Sequence, residues 1–134
     1  MEIDFLIQQI KDAAFEVRKH LCPGYLEKVY KQSLMIELEL RGLHAEMEKP
    51  LNVFYKGIKV GEYYADIVVE DKVIVEVKAV KELINAHEVQ LVNYLNATKL
   101  DWGLLVNYGG EKYRIMRKSR IYSPTHSKSG STFT

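Results

Sequence analysis

The stretch YYADIVVEDKVIVEVKAV, residues 63 to 80, decides the fold. Apolar residues alternate with other residues on both sides of residues 70 to 72, which predicts two antiparallel strands joined by a short connection. If the connection has three residues, Asp66 lies opposite Glu76. One face of the hairpin is then entirely apolar and should pack on helices; it consists of Ala65, Ile67, Val69, Val73, Val75, Val77 and Ala79.

The other face of this hairpin carries Asp66, Glu76 and Lys78 together with Val68 and Ile74. A connection of even length would bury Asp66 unpaired among valines, which costs several kcal/mol. Two neighbouring carboxylates repel each other, and a divalent cation such as Mg²⁺ or Mn²⁺ relieves that repulsion. Lys78 could then stabilise charge that develops on a phosphate during hydrolysis. Taken alone, an E-x-K tripeptide is more often the solvated side of a half-exposed strand.

Helices are predicted before and after the hairpin in the sequence. Apolar residues recur at three- and four-residue steps in the first segment, the second is rich in apolar residues and is followed by Gly42 as a C-terminal cap, and the third has a stripe of Val89, Val92 and Leu95. The predicted helices span residues 3 to 21, 25 to 40 and 86 to 97. We expect them to cover the apolar face of the sheet.

The remaining strands complete an α/β fold. β-Branched and aromatic residues between 43 and 80 predict three or four antiparallel strands, hairpin included, and a buried strand and a short last strand are expected over residues 101 to 108 and 112 to 117. A mixed sheet of about five strands flanked by helices follows.

Length and composition predict a single domain. The chain has 134 residues, of which 47% are hydrophobic, and we place the domain at residues 1 to 118, followed by a serine-rich tail, 119 to 134, that we expect to be disordered. A lone cysteine, Cys22, and the lack of a signal-like or membrane-spanning apolar run predict a cytoplasmic protein without a membrane partner. The net charge of +1 neither indicates nor excludes a nucleic-acid partner.

Four motifs follow one another in order: GYLEKVY at 24 to 30, Asp66, EVK at 76 to 78, and QLVNY at 90 to 94. With them the chain resembles the GxxExxY proteins of the PD-(D/E)xK nuclease superfamily over about residues 5 to 117. The Q-x-x-x-Y spacing is similar to that of RecB-like and lambda-exonuclease-like members. The resemblance implies a restriction-endonuclease-like core and a nuclease that depends on Mg²⁺ or Mn²⁺ and acts on DNA.

The resemblance also implies roles for individual residues. Asp66 and Glu76 would bind the metal and act in catalysis with Lys78, and Glu27 would be an additional acidic metal ligand. From the residues alone, Glu27 has another explanation, because a glutamate in the first turn of a helix is favoured by the helix dipole. Ala65 stands where the superfamily has its named proline, a departure that removes no ligand.

Gln90, Tyr94 and Tyr30 are predicted to lie on the substrate side of the site. Gln90 and Tyr94 are one helical turn apart, so they could equally form a buried tyrosine–amide pair. His87 could face the same groove but has no zinc-like partner in the sequence. Tyr63 and Tyr64 could stack on bases, although strand tyrosines usually pack against neighbours.

A second class of function fits the same residues. A nuclease-like domain can bind nucleic acid or a protein partner without cutting, because a fold does not guarantee its chemistry. Against this alternative, binding alone does not require two carboxylates and a lysine on one face. Self-association is compatible with either function.

Overall fold

The computed structural model describes residues 1–121. Its elements are α1 (Ile3–His20), α2 (Glu27–Leu40), β1 (Ala45–Tyr55), β2 (Ile58–Val69), β3 (Val73–Lys78), α3 (Asn85–Thr98), β4 (Trp102–Asn107) and β5 (Arg114–Ser119). The strands form one sheet in the order β1-β2-β3-β4-β5, in which β3 and β4 are parallel and the other pairings are antiparallel. The predicted α/β class with a mixed five-stranded sheet is confirmed.

Helices cover both faces of the sheet. On one face, α1 and α2 enclose a core that includes Val73, Val75 and Val77. On the other face, α3 packs Leu91 and Leu95 into a second core. The expectation that all three helices cover the same face is therefore wrong. Val68, Ile74 and Leu105 make the α3 face of the sheet apolar as well, so it also needs a cover.

The β2–β3 hairpin has the predicted register. Val69 pairs with Val73, so the connection consists of residues 70 to 72. Glu70 and Asp71 both adopt positive φ angles, of 54° and 53°, which turns the chain within those three residues.

The alternation of side chains along β2 breaks at Asp66. Ile67 lies in the core under α1 and α2, whereas Ala65, two residues earlier, lies in the core under α3. The prediction that Ala65 shares the face of the valines is therefore wrong. On the neighbouring strand, Glu48 has a φ of 54°, and Glu48 and Asp66 are left out of the ladder between the pairs Met47–Ile67 and Lys49–Ala65, so the sheet is irregular on both strands at this point.

A tyrosine pair fixes the turn between α1 and α2. The Tyr30 hydroxyl donates to the Cys22 carbonyl at 2.6 Å and accepts from the Tyr25 amide at 3.2 Å. The Tyr30 ring stacks on Tyr108, just after β4, with centroids 4.7 Å apart, and the Tyr108 hydroxyl donates to the Ala14 carbonyl at 2.8 Å. These contacts hold the start of α2 against the end of β4.

The C-terminal part of the described chain still belongs to the fold. Ser119 lies one residue beyond the predicted domain boundary, yet it belongs to β5 and pairs with Trp102. The next residue, Arg120, donates its amide hydrogen to the Asp101 carbonyl at 3.0 Å. The rest of the predicted tail, 122 to 134, lies outside the described residues. Within residues 1–121, every helix is too short or too polar to span a membrane.

The chain after β3 is held by the chain after β4. The Tyr108 amide donates to the Lys78 carbonyl at 2.9 Å, and the Asn107 side chain bonds both the amide and the carbonyl of Val80. A Cβ atom at Gly109 would lie 2.4 Å from the carbonyl carbon of Ala79 and 2.5 Å from the Val80 nitrogen. Gly109 is thus required for this close backbone approach.

Replacing Gly109 with alanine should destabilise the fold by ~2 kcal/mol or more, because the clash is with backbone atoms that cannot rotate away. Gly61→Ala is the matched control, since its Cβ would approach only the movable Tyr63 ring, at 3.1 Å. Urea unfolding of both variants and the wild type measures the difference. Equal stability of Gly109→Ala and the wild type would contradict this description.

Candidate active site

Asp66 and Glu76 form an interlocked pair at the point where the regular β2–β3 ladder ends. The Asp66 amide donates to Glu76 Oε2 at 2.8 Å, and the Val77 amide donates to Asp66 Oδ2 at 2.8 Å. Each carboxylate therefore binds the backbone of the opposite strand. Glu76 is only 3% exposed. The two groups are held close together in fixed positions, with little water to separate their charges.

The electrostatics of the pair favour a proton on Glu76. Burial raises the pKa of the Glu76 carboxyl to about 8, and the nearby Asp66 charge acts in the same direction. The Asp66 amide and the charges of Lys78 and Lys31 oppose the shift without cancelling it. At neutral pH the Glu76 carboxyl therefore keeps its proton, which lowers the negative charge of the pair.

Lys31 lies directly against this pair, and sequence reasoning missed it. Its Nζ is 3.2 Å from Asp66 Oδ1 and 3.4 Å from Glu48 Oε2. Burial lowers the pKa of Lys31, but its contacts with Asp66 and Glu48 outweigh burial and raise it, so Lys31 is charged here. Its position one helical turn after Glu27 was the available signal, since residues four apart share a helix face.

Lys78 lies at the end of β3 and is held by α3. Its Nζ donates to Gln90 Oε1 at 3.2 Å, which brings the predicted Gln90 to the predicted lysine. Glu27, the first residue of α2, approaches from the other face of the sheet. Burial raises the pKa of Glu27, and the charge of Asp66 adds to the shift. Both residues thus lie close to the interlocked pair.

α3 also brings Tyr94 to the site. Tyr94 is 8% exposed, and its pKa is raised by burial and then by the charges of Glu76 and Asp66, which lie near its hydroxyl. His87 accepts from the Ile84 amide through Nδ1 at 3.1 Å, so it caps the start of α3. Burial and the nearby Lys78 lower the pKa of His87, which keeps the ring neutral.

Tyr30 does not border the site. It is fully buried, both of its hydroxyl contacts are to backbone, and its ring lies against Tyr108 in the core under α1 and α2. The prediction that Tyr30 lies on the substrate side is therefore wrong. The spacing of Glu27 and Tyr30 does not place both on the site, because Tyr30 points into the protein.

The donor atoms present fit a cation that needs few protein ligands. Within residues 1–121, no three His, Cys, Asp or Glu side chains come together as a ready metal cluster. Mg²⁺ and chemically similar ions bind through one or two carboxylates and keep several waters, so Asp66 and Glu76 suffice as oxygen donors. Lys31, on Asp66 Oδ1, would have to share or leave that oxygen.

Comparison with known proteins identifies a family. The sequence model described as the PD-(D/E)XK nuclease superfamily matches residues 4–119, which is every element from α1 to β5 except the first residue of α1. No curated protein and no solved structure matches the chain.

The protonated state of Glu76 predicts a particular dependence of stability on pH. The folded pKa, about 8, lies above the ordinary value of 4.5, so the folded state binds more protons between these values. The resulting stabilisation is complete below the ordinary value and is lost as pH rises through about 8. Glu76→Gln keeps the shape of the side chain and removes this titration.

Urea unfolding in EDTA from pH 5 to pH 9 measures the effect. The free energy of unfolding of the wild type should fall relative to that of Glu76→Gln as pH rises, by a few kcal/mol in total. A constant difference between the two proteins across this range would show that Glu76 is not held protonated.

Proposed function

The chain belongs to the PD-(D/E)XK nuclease superfamily, and on that premise we propose that it hydrolyses phosphodiester bonds in DNA with Mg²⁺ or Mn²⁺. The observation that carries this proposal is the interlocked pair of buried Glu76 and half-buried Asp66 with Lys78 beside it. Holding two carboxylates together with so little solvent is costly unless a cation offsets their charge. A fold maintained for packing alone has no use for this arrangement.

Asp66 and Glu76 would hold the cation, and Glu27 would complete the acidic environment from the start of α2. When bound, Mg²⁺ or Mn²⁺ supplies positive charge to a phosphate oxygen and acidity to a coordinated water. Glu76 must give up its proton to act as a ligand, since a ligating carboxylate is deprotonated. Of sharing or leaving Asp66 Oδ1, we expect Lys31 to leave it for Glu48, whose Oε2 is already 3.4 Å from Lys31 Nζ.

Lys78 would stabilise the negative charge that builds up on the phosphate in the transition state. Gln90 accepts one hydrogen bond from Lys78 Nζ and so fixes the direction of the ammonium group. An ammonium group has three donors, which leaves others to face a phosphate. Groups oriented before the reaction are worth more than flexible ones, because no reorganisation is needed in the transition state.

We further propose that the chain belongs to the GxxExxY branch of the superfamily. Gly24 has a φ of 123°, a backbone conformation that favours glycine. Glu27 lies towards Asp66, and Tyr30 closes the turn before α2 through its hydroxyl. Each position of the motif thus has a separate physical reason, and all three serve to place the start of α2 at the site.

A second candidate function has its own support. Lys31 neutralises Asp66 internally, and the described residues include no ready cluster of three metal-binding side chains. These features favour a nuclease-like domain that binds nucleic acid or a protein partner without cutting it. Cleavage measurements separate the two functions.

The wild type should cut labelled single- or double-stranded DNA in Mg²⁺ or Mn²⁺ and be inactive in EDTA. Glu76→Gln and Lys78→Met should each lower the rate by ~100-fold or more, because one removes a metal ligand and the other a charge next to the phosphate. Glu46→Gln is the matched control, as the same substitution at a half-buried position of β1 where Glu46 contacts only surface charges, and should cut like the wild type.

The same assay with RNA tests the assignment of DNA as substrate. Cleavage that persists in Glu76→Gln would point to a contaminating nuclease or to another site. A wild type that cuts no substrate in either metal would favour the silent, binding domain.

A further inference from the structure

A groove of about 850 Å³ lies between α3 and the β1–β2 hairpin. Its lining includes Gln90 and Tyr94. Gln90 also accepts from Lys78, and the pKa of Tyr94 responds to burial and then to the charges of Glu76 and Asp66. The groove is therefore continuous with the proposed active site, and a ligand that occupies it could extend directly to the carboxylates.

Aromatic rings are accessible in this groove. Phe54 and Tyr63 are 60% and 49% exposed. The Tyr63 ring lies 5.8 Å from that of Tyr94 and is inclined to it by 44°. Gly61 leaves room for the Tyr63 ring, since a Cβ there would lie 3.1 Å from it. Exposed rings beside a cleavage site offer flat surfaces on which bases can stack.

Side-chain amides occupy both walls of the groove. Asn52 lies on the hairpin side, and Asn93 lies on α3; both are exposed. Gln90 and Asn96 also line the groove from α3, but Gln90 Oε1 already accepts from Lys78, and Asn96 Nδ2 already donates to two backbone carbonyls. Each amide can both donate and accept hydrogen bonds, as do the edges of nucleobases. Aromatic faces together with amides suit unpaired bases better than they suit a purely apolar ligand.

The described lining of the groove has no acidic side chain that would repel a polyanion, but it has too few basic side chains to bind phosphates tightly. Among the described residues that line it, none is acidic and Lys99 alone is charged. A second cavity, of about 650 Å³ and near the start of α3, is lined by as many basic as acidic side chains: Lys81, Lys112, Arg114, Glu82, Glu88 and Glu111. Single strands and duplexes both carry phosphates, which the first groove has too few basic side chains to bind, so its contacts would be to bases.

We propose that this groove binds unpaired nucleobases, so that the substrate is single-stranded at the position of cleavage. The statement about the substrate rests on the proposed nuclease function, whereas the binding of unpaired bases requires no cleavage. Tyr63 supplies the stacking surface, and Asn93 supplies hydrogen bonds to the edge of a base. In a closed duplex the faces and pairing edges of the bases are occupied, so this groove would have nothing to bind.

Fluorescence anisotropy in EDTA tests the proposal without cleavage. The probes are labelled single-stranded DNA and RNA oligonucleotides and a duplex of the same sequence. The wild type should bind at least one single strand more tightly than the duplex. Tyr63→Ala should weaken that binding by ~10-fold, the loss of one base stack, and Asn93→Ala should also weaken it. Tyr63→Phe keeps the ring and should bind within about 2-fold of the wild type.

Tyr64→Ala is the matched control. Tyr64 is the next residue on β2, is similarly exposed at 53%, lies outside the lining of the groove and donates to Glu62 at 2.8 Å. It should bind like the wild type. Equal losses in Tyr63→Ala and Tyr64→Ala, equal affinity for duplex and single strand, or no binding to any probe would overturn the proposal.

The outcome can be separated from that of the nuclease assay. Binding that depends on Tyr63 without cleavage in any metal would leave the groove assigned and refute the nuclease. Metal-dependent cleavage of duplex DNA that is unaffected by Tyr63→Ala would support the nuclease and refute the assignment of the groove.

Discussion

Two carboxylates, of buried Glu76 and half-buried Asp66, each accept a hydrogen bond from the other's strand, and this is the constraint on which the rest of the structure depends. Asp66 accepts from the Val77 amide and Glu76 from the Asp66 amide, so moving either side chain breaks a hydrogen bond between the two strands. Burial of such groups is unfavourable unless hydrogen bonds and opposite charges compensate. Lys31 and Lys78 supply the charge, and the architecture must deliver both to one place.

The two faces of the sheet contribute different residues to the candidate site. α2 lies on the side of the valine core and brings Glu27 and Lys31 to Asp66. α3 lies on the opposite side and brings Gln90 to Lys78. The irregularity of β1 and β2 at Asp66 lets both sets meet, because a regular ladder would direct side chains strictly to one face or the other. The candidate site thus lies where the sheet is irregular.

The sequence predicts well those features that depend on residues close together in the chain. The period of two in residues 63 to 80 predicts the hairpin, its three-residue connection and the closeness of Asp66 to Glu76, because each depends on neighbours in the chain. The roles of these residues in metal binding and catalysis stay predictions. The face covered by α3, the position of Ala65 and the burial of Tyr30 depend on tertiary packing, which periodicity does not report. The position of Lys31 one turn after Glu27 places the two on one helix face, but only the fold shows that this face lies against β2.

The most direct test is a crystal structure of the protein with Mn²⁺, with data collected at the manganese absorption edge. We predict an anomalous peak within ligand distance of Asp66 and Glu76, and Lys31 Nζ displaced from Asp66 towards Glu48. Crystals soaked in saturating Mn²⁺ with no peak at this pair, and with Lys31 still bound to Asp66, would contradict the claim that the pair is a metal site.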